Sequence, residues 1–157
     1  MERKVITKKG DIFCVEIEGK YKQFFQYITL DKTMLCSVVI RVFKTKYAIQ
    51  TTIDLNSIVT DDVSFYAHTM LRPGLFYKAW SKIGNHRDVG NTKDIMFRYY
   101  SNGWSVWKIN EPFIMVKELD EEKKKYNLGI VYSYLDIVER IKTGHYRLPL
   151  KGISYNV

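Results

Sequence analysis

The sequence predicts a mostly β protein: an antiparallel, curled sheet or a partly open SH3-like barrel, with one C-terminal helix. Three observations carry this. The chain holds 16 Ile, 13 Val and 12 Tyr against 3 Ala, and β-branched and aromatic side chains fit a pleated, half-buried surface, whereas Ala is the strongest helix former. Two blocks, residues 9–21 and 103–109, alternate in polarity and are entered or left through Gly. Only residues 134–143 space their apolar side chains as a helix would.

The elements follow in order. In the first strand, residues 11–17, Phe13, Val15 and Ile17 face one way and Ile12, Cys14 and Glu16 the other. Glu18-Gly19 turns the chain into a second strand, 21–30, because Gly supplies the positive φ of a tight hairpin. Asp31-Lys32-Thr33 turns it again. The third strand, 34–43, has almost no polar break before Arg41, so both its faces are expected to be covered. These three strands form a meander. Residues 47–55 and 63–71 are candidate strands around an Asp61-Asp62 turn, and Arg72-Pro73-Gly74 is a break. Residues 75–83, with Phe76 and Trp80, are expected to be a strand. Residues 84–94 form a long polar loop bounded by glycines.

Residues 95–100 alternate again, and Asn102-Gly103 is a hairpin signal of the type I′ kind. The return strand is 104–109. Glu111-Pro112 breaks it, and 113–119 is one more strand. The run Asp120-Glu121-Glu122-Lys123-Lys124-Lys125 places acids before bases, as a short helical turn prefers. In the helix, Ser133 is the cap with Asp136 three residues on. Tyr134, Ile137, Val138 and Ile141 form the buried stripe, and Gly144 ends it. Leu148-Pro149-Leu150 is an extended closing segment. No linker or repeat divides the chain, so residues 1–157 are expected to form a single domain.

Composition bounds the function. The net charge is +8 with a pI near 9.4, which keeps nucleic acid or an acidic protein surface among the partners. Cys14 and Cys36 are too few for a disulfide framework and lie in apolar runs, so buried free thiols are expected. The start lacks the apolar core of a secretory signal and no apolar stretch is long enough to span a bilayer, so the expected location is cytoplasmic.

The chemistry-bearing residues are sparse. His68, His86 and His145 are far apart, without carboxylate or Cys at metal-ligand spacing, so no metal or other cofactor is expected. His68 reads as a satisfied core histidine and His145 as a residue suited to a helix C-terminus. His86, Arg87 and Asp88 form the one local cluster of imidazole, cation and carboxylate. Neither a phosphate-binding Gly-rich loop nor a nucleophile elbow is present, so an enzyme, a small hydrolase for example, is the weakest reading. Tyr21, Phe25 and Tyr27 beside Lys20 and Lys22 are candidates to stack on single-stranded nucleic acid.

Four blocks in order carry a family resemblance: Gly10-Asp11-Ile12-Phe13-Cys14-Val15-Glu16-Ile17 with Gly19-Lys20-Tyr21, Lys78-Ala79-Trp80-Ser81-Lys82-Ile83-Gly84, Trp104-Ser105-Val106-Trp107-Lys108-Ile109, and Asp136 to Gly144. Together they resemble the bacterial immunity protein 26 family of polymorphic-toxin systems. The opening block is also similar to small barrel toxins that cleave RNA, though only through the first hairpin. The immunity resemblance implies a non-catalytic β protein that binds and neutralises a cognate toxin, and it assigns no interface residue. On the residues alone, the loop at His86, Arg87 and Asp88 is the expected contact region, since recognition concentrates on loops carried by a rigid sheet. A basic nucleic-acid-binding barrel is the alternative.

Overall fold

A computed structural model describes residues 4–147, so the closing segment at Leu148-Pro149-Leu150 lies outside the described residues. Ten strands and three α-helices run in the order β1 (Asp11–Ile17), β2 (Tyr21–Asp31), β3 (Ser37–Phe43), α1 (Leu55–Val59), β4 (Val63–Thr69), α2 (Leu71–Phe76), β5 (Ser81–Asn85), β6 (Met96–Tyr100), β7 (Trp104–Lys108), β8 (Ile114–Val116), β9 (Asn127–Leu128), β10 (Val131–Tyr132) and α3 (Tyr134–Thr143). They build two open, mixed sheets, ordered β10-β4-β3-β2-β1-β5 and β8-β7-β6-β9. The β4–β10 and β6–β9 pairings are parallel and the rest antiparallel. The fold is mostly β, as expected, and the sheets do not close into a barrel.

The larger sheet is covered on both sides. Phe13, Val15, Phe25, Ile40 and Val42 point to the face packed by Leu71 of α2 and by Ile137 and Ile141 of α3. Phe13 stacks on Phe25, and Trp80 meets Phe25 edge-on with centroids 5.0 Å apart. On the opposite face Ile28 and Val39 meet Ile95, Phe97 and Trp107 of the smaller sheet, while Ile12, Phe24 and Phe43 meet Ile58 and Val59 of α1.

One buried carboxylate ties the layers together. Asp31 accepts hydrogen bonds from His68 Nε2 at 2.9 Å, Trp107 Nε1 at 3.2 Å, and the backbone N–H groups of Met34 and Asn110, both at 3.2 Å. These reach β4, the turn before β3, and β7 with its exit from the smaller sheet. The His68 ring lies tilted against Phe97, centroids 4.3 Å apart.

Several sequence expectations shift. Residues 34–36 are not strand: Leu35 and Cys36 take positive φ in a bend held by Asp31, and Cys36 is exposed. Of residues 47–55, Tyr47 alone bridges to Lys22, and Asp54 then caps α1 through the Ser57 N–H at 3.0 Å. The candidate strand 63–71 stops at Thr69. Arg72-Pro73-Gly74 is no break but the middle of α2, where Pro is tolerated because the first-turn N–H groups lack intrahelical partners. Residues 75–83 are strand only from Ser81. The Asn102-Gly103 hairpin has a three-residue loop, since Tyr100 pairs with Trp104. Residues 113–119 shorten to β8. α3 has the expected bounds, with Ser133 Oγ accepting from the Asp136 N–H and Gly144 as the left-handed C-cap.

Burial lowers the pKa of His68 more strongly than its hydrogen bond and attraction to Asp31 raise it, so the imidazole stays neutral in the fold. Below about pH 6.5 the unfolded chain takes up a proton here that the native state refuses. Native stability from His68 is therefore complete above that pH and is lost as pH falls. The expected outcome is that the urea-unfolding free-energy gap between wild type and His68→Gln is widest at neutral pH and narrows towards pH 5; a gap independent of pH would contradict it.

Candidate functional site

β5 is the outer strand of the larger sheet, and the polar loop 86–94 leaves its end. Asp11 fastens this strand. Its fully buried carboxylate pairs with Lys82 Nζ at 3.0 Å and accepts from Asn85 Nδ2 at 2.9 Å and from the Lys8 N–H at 2.8 Å. Gly10 permits the close approach of the loop: at φ +94° it brings its backbone so near that a Cβ would lie 2.7 Å from the His86 carbonyl. The His86 N–H donates to Gly10 O at 2.9 Å.

Beneath the loop lie two polar side chains inside the sheet. Gln26 of β2 donates from Nε2 to the carbonyls of Gly10, His86 and Asp88 at 3.2, 3.0 and 3.0 Å. Arg41 of β3 donates from Nε to Gln26 Oε1 at 2.9 Å and from Nη2 to Asp88 O at 3.0 Å and Val59 O at 3.4 Å. Its guanidinium also lies 5.0 Å from the Phe43 ring centroid. Burial lowers the Arg41 pKa, opposed by the charge of Asp88 and then by Tyr66. An arginine does not lose its proton in such a setting, so a positive charge is held under the loop backbone.

The three loop residues point to different places. His86 accepts the Asp88 N–H at Nδ1 (3.1 Å), so the neutral ring carries its proton on Nε2 and donates it to Asn56 Oδ1 at 2.7 Å. The Asp88 carboxylate accepts from the Gly90 N–H at 2.9 Å. Arg87 is exposed, with no hydrogen bond or ion pair among the described residues. The cluster that is adjacent in sequence has no common focus for acid–base chemistry. It is instead a rigid loop that offers a guanidinium to solvent.

On the other side of β5 stands a short aromatic knuckle. Trp80 is buried, donates from Nε1 to Leu71 O at 3.1 Å, and lies so close under α2 that a Cβ on Gly74 would collide with its indole. That post holds out Phe76 and Tyr77, 75% and 63% exposed. Tyr77 stacks on Tyr134 of α3 at 5.2 Å, and Lys78 follows at φ +57°, a strained value for a Lys. An open groove of about 800 Å³ runs along β5, lined among others by Lys78, Trp80, Lys82 and Ile83.

The remaining candidates disperse. Cys14 lines that groove, but burial raises its thiol pKa, Lys22 only partly offsets this, and Glu16 raises it further, which disfavours the thiolate. Phe25 is wholly buried between Phe13 and Trp80, and Tyr21 and Tyr27 are half-buried against the same core, so no exposed base-stacking platform forms from them. Lys20 pairs with Glu18 at 3.5 Å. The buried His68 is in contact with Phe97 and Asp31, away from solvent. The exposed His145 donates its N–H to Thr143 Oγ1. Among the described residues no three His, Cys, Asp or Glu side chains gather as metal ligands, and no helix is long and apolar enough to cross a membrane.

Sequence reasoning found the loop and missed what holds it. The signal was present: Gln26 and Arg41 are polar residues at inward positions of apolar strands, where an unpaired polar group is too costly to persist without a task. Replacing Arg41 by Met is expected to cost about 2–3 kcal/mol in urea unfolding, because Gln26 Oε1 and Asp88 O lose a charged donor. It should also raise amide exchange at residues 86–90 well above that in α3. An unchanged loop exchange rate would show that Arg41 does not fasten it.

No curated protein and no solved structure matches the chain. A protein-family comparison does: residues 8–108 match the model of the family described as Immunity protein 26. The match runs from just before β1 to the end of β7 and contains β5, the knuckle and the loop.

Proposed function

The chain belongs to the immunity protein 26 family, and we propose that it protects a bacterial cell by binding a cognate polymorphic toxin in the cytoplasm and covering its working surface, without catalysis of its own. Family membership supports an immunity role, and immunity proteins are generally non-catalytic. The contact region in this reading is the loop at His86, Arg87 and Asp88.

One observation supports that loop above the others. Arg87 is exposed at a place where the backbone on both sides is fixed from below by Gln26 and Arg41. A pre-organised arginine loses little freedom on docking, and arginine is among the residues that dominate interface energies. The +8 net charge suits an acidic toxin face and speeds encounter with it. It does not suit imitation of nucleic acid, which requires an acidic surface.

The test takes candidate toxin domains from the genes that flank this one and expresses each in cells with and without the chain. Wild type should restore growth and form a complex whose association rate falls with added salt. Arg87→Glu should weaken binding by at least about thirtyfold, the scale of a hot-spot residue. Alanine at 86, 87 and 88 with undiminished affinity would remove the loop from the interface, and absence of any complex with wild type would remove the function.

A further inference from the structure

The edge of β5 has features that its packing does not explain. Each end strand of the two sheets presents one unpaired row of backbone N–H and C=O groups, and β5, at five residues, is the longest; β8 has three, and β9 and β10 have two each. β5 pairs with β1 alone, and none of the described residues bonds to its outer backbone. Proteins normally blunt such an edge with an outward charge, a proline or a bulge. Here Ser81 and Ile83 are exposed, Ile83 at 43%, while Lys82 and Asn85 both reach back to Asp11. The pairing with β1 slips by one residue at Ile83, a bulge on the inner side, but neither a proline nor an outward charge within the strand blocks the outer row.

Its flanks are aromatic and basic at one end and basic at the other: Phe76, Tyr77 and Lys78 stand just before the strand, and Arg87 just after it. From residue 63 to residue 87 the chain contains no Asp or Glu, while Glu16 of β1 lines the same groove and Asp88 follows Arg87. We infer that the free edge of β5 is a strand-addition site, where an extended segment of the toxin with acidic residues at its ends pairs antiparallel or parallel to β5, its apolar side chains meeting Ile83 and Phe76. This rests on the toxin-binding reading and extends it from the loop to a continuous strip over residues 76–88. Main-chain hydrogen bonds would give affinity and the flanking aromatic and basic groups selectivity, the usual division in strand addition.

Hydrogen–deuterium exchange on the full chain tests the site, with and without the catalytically inactivated candidate toxin domains taken from the flanking genes. Backbone amides within residues 81–85 should slow at least about tenfold on complex formation while those of β8 do not change. Ile83→Glu, at an exposed position that leaves the core intact, should weaken toxin binding about tenfold or more, and Ile83→Thr by less than about threefold. A tight wild-type complex with β5 exchange unchanged and Ile83→Glu binding normally overturns the strand-addition site and leaves the toxin-binding function standing. No complex at all overturns both. Protection of β5 in the free protein that grows with concentration, together with a dimer mass, assigns the edge to a second copy and also overturns the proposal.

Discussion

A guanidinium buried in a β-sheet sets the terms for the end of the molecule that carries the 86–94 loop. Arg41 forms no direct ion pair among the described residues, although the Asp88 charge acts on it; it is satisfied by a glutamine side chain and by backbone carbonyls of α1 and the 86–94 loop. A buried charge of this kind must hold its acceptors or destabilise the fold. The loop carbonyls therefore cannot drift. Gln26, ranged alongside, fixes the carbonyls of Gly10, His86 and Asp88 at once. The consequence for function is a polar loop without the usual freedom of a polar loop.

The acid–base chemistry that the chain does possess is used elsewhere. Asp31 and His68 are in direct contact and would resemble a catalytic dyad if they were exposed. Both are wholly buried, and the Asp31 carboxylate is filled by Trp107 and two backbone N–H groups. Their effect is to lock β2, β4 and β7 in register across two layers. With one face of the large sheet closed by α2 and α3 and the other by the smaller sheet and α1, the free edge of β5 is the longest unpaired strand edge among the described residues. A stiff body with a basic and aromatic strip along that edge fits the proposed role of covering a partner.

The parts of this legible in the sequence are those written in local signals. The first hairpin, the alternation of β6 and β7, and α3 with its Ser133 and Gly144 caps each depend on residues within a few positions of one another. What escaped depends on distant ones. α1 and α2 have five and six residues, too few to display a helical period, and Gly74 looks like a terminator until Trp80 is seen beneath it. β9 and β10 are two residues long and are defined only by their parallel partners. The loop at His86, Arg87 and Asp88 stands out as polar in the sequence, yet its hold comes from Gln26, 60 residues before His86, and from Arg41, 47 before Asp88. Phe76, read as part of a strand over 75–83, ends α2 instead and is among the most exposed aromatic side chains.

The most direct measurement is the structure of the chain in complex with the toxin proposed as its partner. The account calls for the toxin to lie along residues 76–88, with the backbone of β5 and the loop within about 1 Å of its free position, as pre-organised interfaces behave. A toxin seated on the opposite end of the large sheet, or a loop refolded away from Gln26 and Arg41 to admit it, would contradict the claim that this protein works as a rigid edge.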